Sequence, residues 1–195
     1  MVVGITGSIA CGKSLVSSYL INLHYPVIDC DKITHNILFI DEVKEKIVNE
    51  FGMQVLNDDN TINRKSLGKI VFSDENKLKL LEQIEFPYIL SEIKKQINSY
   101  NGIVFLDAPL LIEYQLQYLV DKIIVIKCDK EIQIKRLITR DNISREYALK
   151  KINSVLSSEE KEKFADYVVD NSSTIENTYN QINNILKTLE ELQWK

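Results

Sequence analysis

The octet Gly7-Ser8-Ile9-Ala10-Cys11-Gly12-Lys13-Ser14 satisfies the pattern G-x-x-x-x-G-K-[ST], and no other stretch restricts the architecture so tightly. The pattern needs a buried strand before it and a helix after it, and both are present. Val2-Val3-Gly4-Ile5-Thr6 is an apolar run of strand length, and Leu15, Val16, Tyr19, Leu20 and Leu23 recur with the spacing of a helix lying on a sheet. The residue types follow from the chemistry of an anion. Backbone N–H groups in a loop without bulky side chains wrap a polyphosphate, and the helix that starts there directs its positive end at the same charge. Lys13 then lies on the β- and γ-phosphates, and the Ser14 hydroxyl on Mg²⁺. The plainer alternative is a glycine turn that binds nothing, but such a turn has no need of Lys-Ser after its second glycine.

Composition sets outer limits. At 195 residues the chain is long enough for one α/β domain with a continuous core. A formal charge of -4 and a pI near 5.3 argue against broad binding to nucleic acid or to anionic membranes, so an anionic ligand must be held by local cations. No apolar run approaches about 18 residues, and the N-terminus is already a core strand, so neither a membrane span nor a signal peptide is expected and a cytoplasmic location is. Cys11, Cys30 and Cys128 show no C-x-x-C spacing and read as free thiols, and with only His24 and His35 to add, a zinc site is not expected. Cys11, at a helix N-terminus beside Lys13, is either a reactive thiol or a small spacer.

Further along, Pro26–Asp29 reads as a second strand, with Asp29-Cys30-Asp31 at the carboxyl end where open α/β sheets bind ligands. Asp31 to Gly52 is helical, with Gly52 as its C-cap. Asn57–Asn60 is a turn. Asn63 caps a helix from Arg64 to Phe72, and Ser73 caps another that Pro87 interrupts or restarts before it ends near Tyr100. Ile103–Asp107 and Lys122–Lys127 are further strands. Asp129 caps a helix to Arg140, another helix begins near Ser144, and Tyr167–Asp170 is a fifth strand. Ser157-x-x-Glu160 and Ser173-x-x-Glu176 have capping-box spacing, and the last helix starts near Thr174. Five strands with helical crossovers predict a three-layer α/β/α sandwich on a parallel sheet. The expected organisation is a single domain with its core in about 1–30, 101–134 and 157–195. A helical substrate-binding insertion occupies about 31–100, and a short lid about 135–156.

The loop alone leaves GTPases, motor-type ATPases and small-molecule kinases open. Ile126-Lys127-Cys128-Asp129 imitates a base-reading x-K-x-D but lacks the leading Asn or Thr, and no strand runs into D-x-x-G. Arg136 and Arg140, four apart on one helix, either both reach a transferring phosphoryl group or form part of a solvated face with Lys135.

Several separate blocks resemble the dephospho-CoA kinase family: G-I-T-G-S-I-A-C-G-K-S running into V-I-D-C-D, N-R-K-S-L-G-K-I-V-F, I-E-F-P, L-D-A-P-L-L-I-E, K-R-L-I-T-R-D and A-D-Y-V-V-D-N. The resemblance implies a P-loop fold of the nucleoside-monophosphate-kinase type and transfer of the γ-phosphate of ATP to the 3′-hydroxyl of dephospho-CoA. It assigns Asp31 to the hydroxyl proton, Arg140 with Arg136 to the lid cations, and Asn171 to the adenine side of an ATP site formed by Ala10, Cys11, Gly12, Lys13, Ser14 and Leu15. Asp107 either binds Mg²⁺ with Ser14 or fixes the turn after it. His35, Arg64, Leu110, Leu111 and Glu113 are the acceptor-side candidates, His35 also reading as a satisfied surface histidine and Glu113 as a helix carboxylate near an N-terminus. The chain departs from the family pattern at Ser8, Ala10, Cys11 and Leu15, at Phe86, where His is usual, and at Val155, where Gln is usual. A nucleoside monophosphate kinase is the nearest rival, but it would need arginines in the insertion, where Arg64 stands alone between Asp31 and Tyr100. A nucleotide-dependent switch protein is the rival of another class. The expected partners are ATP and dephospho-CoA, without nucleic acid or membrane, in a monomer or small homo-oligomer.

Overall fold

A computed structural model of the chain describes residues 1–193. They form two compact units, one of Met1–Asp29 with Ile97 onward and the other of Cys30–Gln96. In the first unit β1 (Val2–Gly7), β2 (Val27–Asp29), β3 (Val104–Asp107), β4 (Lys122–Lys127) and β5 (Tyr167–Asp170) make one parallel sheet in the order β2-β3-β1-β4-β5. The strands are apolar on both sides because both faces are covered. Val16 and Leu20 of α1 (Lys13–Asn22) and Ile182, Leu186 and Leu189 of α9 (Ile175–Gln193) pack on Val3, Ile5, Phe105, Ile124 and Ile126. Tyr19 stacks on Tyr179 at 3.8 Å between the same two helices. Opposite them, Leu111 and Val120 crowd so closely on Gly4 that a side chain there would overlap Leu111. In the same unit α6 (Lys130–Asp141) and α7 (Arg145–Ile152) pack through Ile134, Leu137, Ala148 and Ile152. A short helix, α8 (Ser158–Glu162), carries the predicted Ser157/Glu160 capping box.

Pairing of Asp29 with Asp107, of Ile5 with Asp107 and of Gly7 with Ile126 aligns the carboxyl ends of the strands. The loop after β1 therefore opens on the edge that carries Asp107.

The second unit is helical: α2 (Cys30–Ile37), α3 (Asp41–Phe51), α4 (Arg64–Val71) and α5 (Glu75–Asn98), whose last two residues belong to the first unit. Val43, Ile47, Phe51, Leu67, Val71 and Ile93 are among its buried residues. The helix expected from Asp31 to Gly52 is two helices, separated at Leu38–Ile40. Pro87 does not break α5, which runs 24 residues straight through it and forgoes the one hydrogen bond that proline cannot donate. Two caps also shift, and a third keeps its place without its bond. Asp74 rather than Ser73 accepts the first amides of α5 (2.9 Å from Asn76 N), and Thr174 rather than Ser173 accepts Asn177 N (3.2 Å) at α9. Asp129 stands at the cap position of α6 but makes no side-chain cap bond.

Candidate active site

At Gly7 the chain lies against β4 so closely that a β-carbon would sit 2.5 Å from the Ile126 carbonyl oxygen, which explains the first glycine of the motif. The loop then turns, with Cys11 N–H donating to Ser8 O at 3.2 Å. Gly12 has φ 95°, and the Asn171 side-chain amide fills the space a β-carbon would need, so the second glycine is required twice over. Ala10 adopts φ 59° without being glycine, a conformation that costs an L-residue about 1–2 kcal/mol. Two buried amides from distant parts of the chain hold the loop in this shape. Gln133 Nε2 donates to Ile9 O at 2.7 Å and Ser8 Oγ at 3.1 Å, and Asn171 Nδ2 donates to Cys11 O at 2.8 Å while its Oδ1 accepts from Thr178 Oγ1 at 2.9 Å. Asn171, expected beside adenine, thus has both ends of its amide engaged within the protein. Gln133 was missed; the available signal was an amide on the apolar stripe it shares with Ile134 and Leu137.

The charges are arranged around α1. Lys13, its first residue, pairs with the Asp107 carboxylate, which also accepts from Ser17 Oγ at 2.6 Å. Both partners of the pair are largely buried. Ser14 is exposed at the start of the same helix, where the first amides have no intrahelical acceptor, and Leu15 N–H closes on Gly12 O at 3.0 Å. Arg136 Nη2 donates to Asn171 O at 3.0 Å, whereas its Nη1 is buried without a hydrogen-bond partner among the described residues, 3.7 Å from the point where a Gly12 β-carbon would lie. Arg140 is elsewhere. It is exposed and bound to Asp141 at 2.8 Å, and Lys151 holds the same carboxylate at 2.7 Å. Arg140 foremost, then Lys151, keeps the Asp141 carboxyl down at about 2. The two arginines share a helix but do not act as a pair in this structure.

Of the acceptor-side candidates in the first unit, Leu111 is fully buried against Gly4 and Val120 and is a core residue, while Leu110 is 36% exposed. The mismatch has a simple cause: two adjacent leucines in a turn face opposite ways. Glu113 forms an ion pair with Lys161 at 2.9 Å. Lys161 is almost completely buried and also donates to Pro109 O at 2.6 Å, so it ties the segment after β3 to α8; burial lowers its pKa and Glu113 opposes this.

In the second unit Asp31 lies inside the first turn of α2, which begins at Cys30, rather than at a cap position. His35 is exposed, with its ring 5.8 Å from that of Phe39. Arg64 is the first residue of α4, whose cap is Asn63 (3.0 Å to Ser66 N), as expected. Near Arg64 is a group that sequence reasoning passed over. Burial first, and the Glu82 charge second, push the Glu85 carboxyl up to about 7, with Arg64 opposing. Because the folded chain holds this proton longer than the unfolded chain, stability falls as pH rises from the ordinary value of 4.5 through about 7. Glu85→Gln is expected to stabilise the protein by about 1–3 kcal/mol at pH 8 and hardly at all at pH 4.5. Urea midpoints at the two pH values check this, and an equal change at both would contradict it.

A profile of the dephospho-CoA kinase family matches residues 1–177. The chain is 42% identical to the dephospho-CoA kinase of Carboxydothermus hydrogenoformans, over 100% of this chain and 95% of that one. Among solved structures, a dephospho-CoA kinase from Campylobacter jejuni superposes with a TM-score of 0.68 at 30% identity, covering 96% of each chain. The crystal structure of the Thermus thermophilus protein TT1252 does so with a TM-score of 0.85 at 28% identity, covering 97% of each. Similarity that runs the length of both chains, and includes a loop shaped for a polyphosphate, places the chain in the dephospho-CoA kinase family.

Proposed function

We propose that the chain carries out its family's reaction, transfer of the ATP γ-phosphate to the 3′-hydroxyl of dephospho-CoA to give CoA and ADP, with the following division of labour. One observation carries the phosphate side of the reading: beside the loop, a buried guanidinium nitrogen, Arg136 Nη1, has no hydrogen-bond partner among the described residues. A buried donor of that kind is costly unless a ligand completes it, and beside a helix N-terminus the fitting ligand is an anion. Lys13 and the first amides of α1 receive the β- and γ-phosphates, and Arg136 adds a second fixed charge. Asn171 and Gln133 act as positioning residues that keep the loop in shape.

Mg²⁺ fits the donors at hand. Among the described residues no cluster of three or more His, Cys, Asp or Glu side chains suits a metal, but Mg²⁺ bound with a nucleotide needs only one or two protein oxygens. The Ser14 hydroxyl and the Asp107 carboxylate are those oxygens, and the ion supplies neutralisation of charge on the transferring group. Asp31 orients the acceptor hydroxyl and takes its proton. Arg140 reaches the phosphates on exchanging Asp141 for them, as a lid residue does. Arg64, His35 and Leu110 contact the acceptor, and Glu113 positions its own segment through Lys161.

A panel of acceptors tests this reading. CoA formation is expected to exceed phosphorylation of AMP, CMP or UMP at least about a hundredfold, because a single arginine in the helical unit cannot build a 5′-phosphate site. Turnover of any nucleoside monophosphate equal to that of dephospho-CoA would overturn the assignment.

A further inference from the structure

Two of the three cysteines meet under the phosphate loop although 117 positions separate them. Cys11 is a loop residue with a fully buried side chain, and Cys128, the residue after β4, is partly exposed. Their sulfurs are 3.3 Å apart, the Cys128 thiol donating to Cys11 Sγ, and Ser158 Oγ lies 3.7 Å from the same sulfur. We propose that Cys11 and Cys128 are an oxidative modification site: a peroxide joins them in a reversible disulfide that tethers the phosphate loop to the end of β4 and impairs ATP binding.

The geometry supplies what such a bond needs. From 3.3 Å the sulfurs must approach by only about 1.3 Å to reach bonding distance. A surface cavity of about 220 Å³, lined by Ser8, Cys128, Gln133, Ser157 and Ser158, gives a molecule of peroxide size a way to Cys128. The thiols share a hydrogen bond, so Cys11 ionises more readily than an ordinary thiol and Cys128 less readily, and loss of one proton belongs to the pair. The Cys128 proton passes along this hydrogen bond to the Cys11 thiolate, and the Cys128 thiolate so formed at the cavity attacks one peroxide oxygen. The S–O bond forms, the O–O bond breaks, and the departing hydroxide leaves as water after taking up a proton. Cys11 sulfur then attacks Cys128 sulfur, forming S–S and breaking S–O, and its proton leaves with the second hydroxide. Two thiols and one peroxide thus become a disulfide and two waters.

The loop cannot absorb the change. The Cys11 carbonyl is fixed by Asn171, whose amide in turn fills the space beside Gly12, so drawing Cys11 toward β4 displaces the donors that hold phosphate. A misplacement near 1 Å in such a constellation costs up to about 10²-fold in rate.

The test treats the full chain with hydrogen peroxide, quenches it, alkylates the remaining thiols and maps the peptides by mass. The expected result is a Cys11–Cys128 linked peptide with only Cys30 alkylated. ATP affinity and kcat/KM should fall at least about tenfold and return with dithiothreitol. Cys128→Ser should match the parent before treatment and keep its activity after it. Three alkylated cysteines at a peroxide dose that inactivates the parent, a cross-link without functional loss, or equal sensitivity of Cys128→Ser would each overturn the proposal. Should Cys128→Ser fail to fold, the peptide map and dithiothreitol recovery of the parent decide alone. The map reads the cross-link without reference to phosphoryl transfer, so its failure stands apart from failure of the functional assignment on which the predicted loss rests.

Discussion

Lys13→Ala is expected to lower kcat/KM by about 10³-fold, since it removes a full charge aimed at the transferring phosphate from a water-poor site. The structure adds a complication that must be separated from catalysis. Lys13 neutralises Asp107, and both are largely buried, so removing the lysine leaves a buried carboxylate whose remaining hydrogen bond among the described residues comes from the Ser17 hydroxyl. An orphaned buried charge destabilises by itself. The double variant Lys13→Met/Asp107→Asn removes that penalty. It should recover most of the thermal stability lost by Lys13→Ala and none of the activity, and a folded Lys13→Ala protein turning over at close to the parental rate would show that the loop is not the catalytic one.

Asp31→Asn is expected to lower kcat by about 10²- to 10⁴-fold while changing the KM for dephospho-CoA little. In a loose transition state the attacking oxygen forms little bond, so the carboxylate mainly orients the hydroxyl and takes its proton late. A purely structural role predicts something else. Asp31 is inside the first turn of α2, where a negative charge stabilises the helix by about 0.3–1 kcal/mol. Asparagine would then lose that amount in an unfolding experiment and leave kcat alone. Stability and kcat measured on the same preparation distinguish the two roles.

The five strands and the loop were legible because each carries its own local signal: a run of β-branched and aliphatic residues, or glycines and Lys-Ser at fixed spacing. Strand bounds moved by a residue or so at most. What stayed hidden depends on partners far away in sequence. The spacing of Arg136 and Arg140 puts them on one helix face, yet only the arrival of Asn171 from the end of β5 decides that Arg136 is drawn to the loop, and only Asp141 and Lys151 decide that Arg140 is held away. Gln133 and the contact between Cys11 and Cys128 were invisible for the same reason. Leu111 was misplaced because a family motif gives order along the chain and not the direction in which a side chain points. Local rules also competed with each other. Pro87 is a breaker by itself, but α5 continues through it because the helical pattern resumes on its far side. Ser73 and Asp74, and Ser173 and Thr174, are neighbouring cap candidates that sequence cannot rank.

The loop is expected to deliver a phosphoryl group to one particular hydroxyl. Incubation of the full chain with equal amounts of ATP, Mg²⁺ and dephospho-CoA, followed by mass analysis and phosphorus NMR of the products, tests it directly. ADP and CoA are expected in equal amounts, with the new phosphate a monoester on the ribose 3′-oxygen. ADP accompanied by inorganic phosphate and unchanged dephospho-CoA, or a phosphate on any other atom, would contradict it.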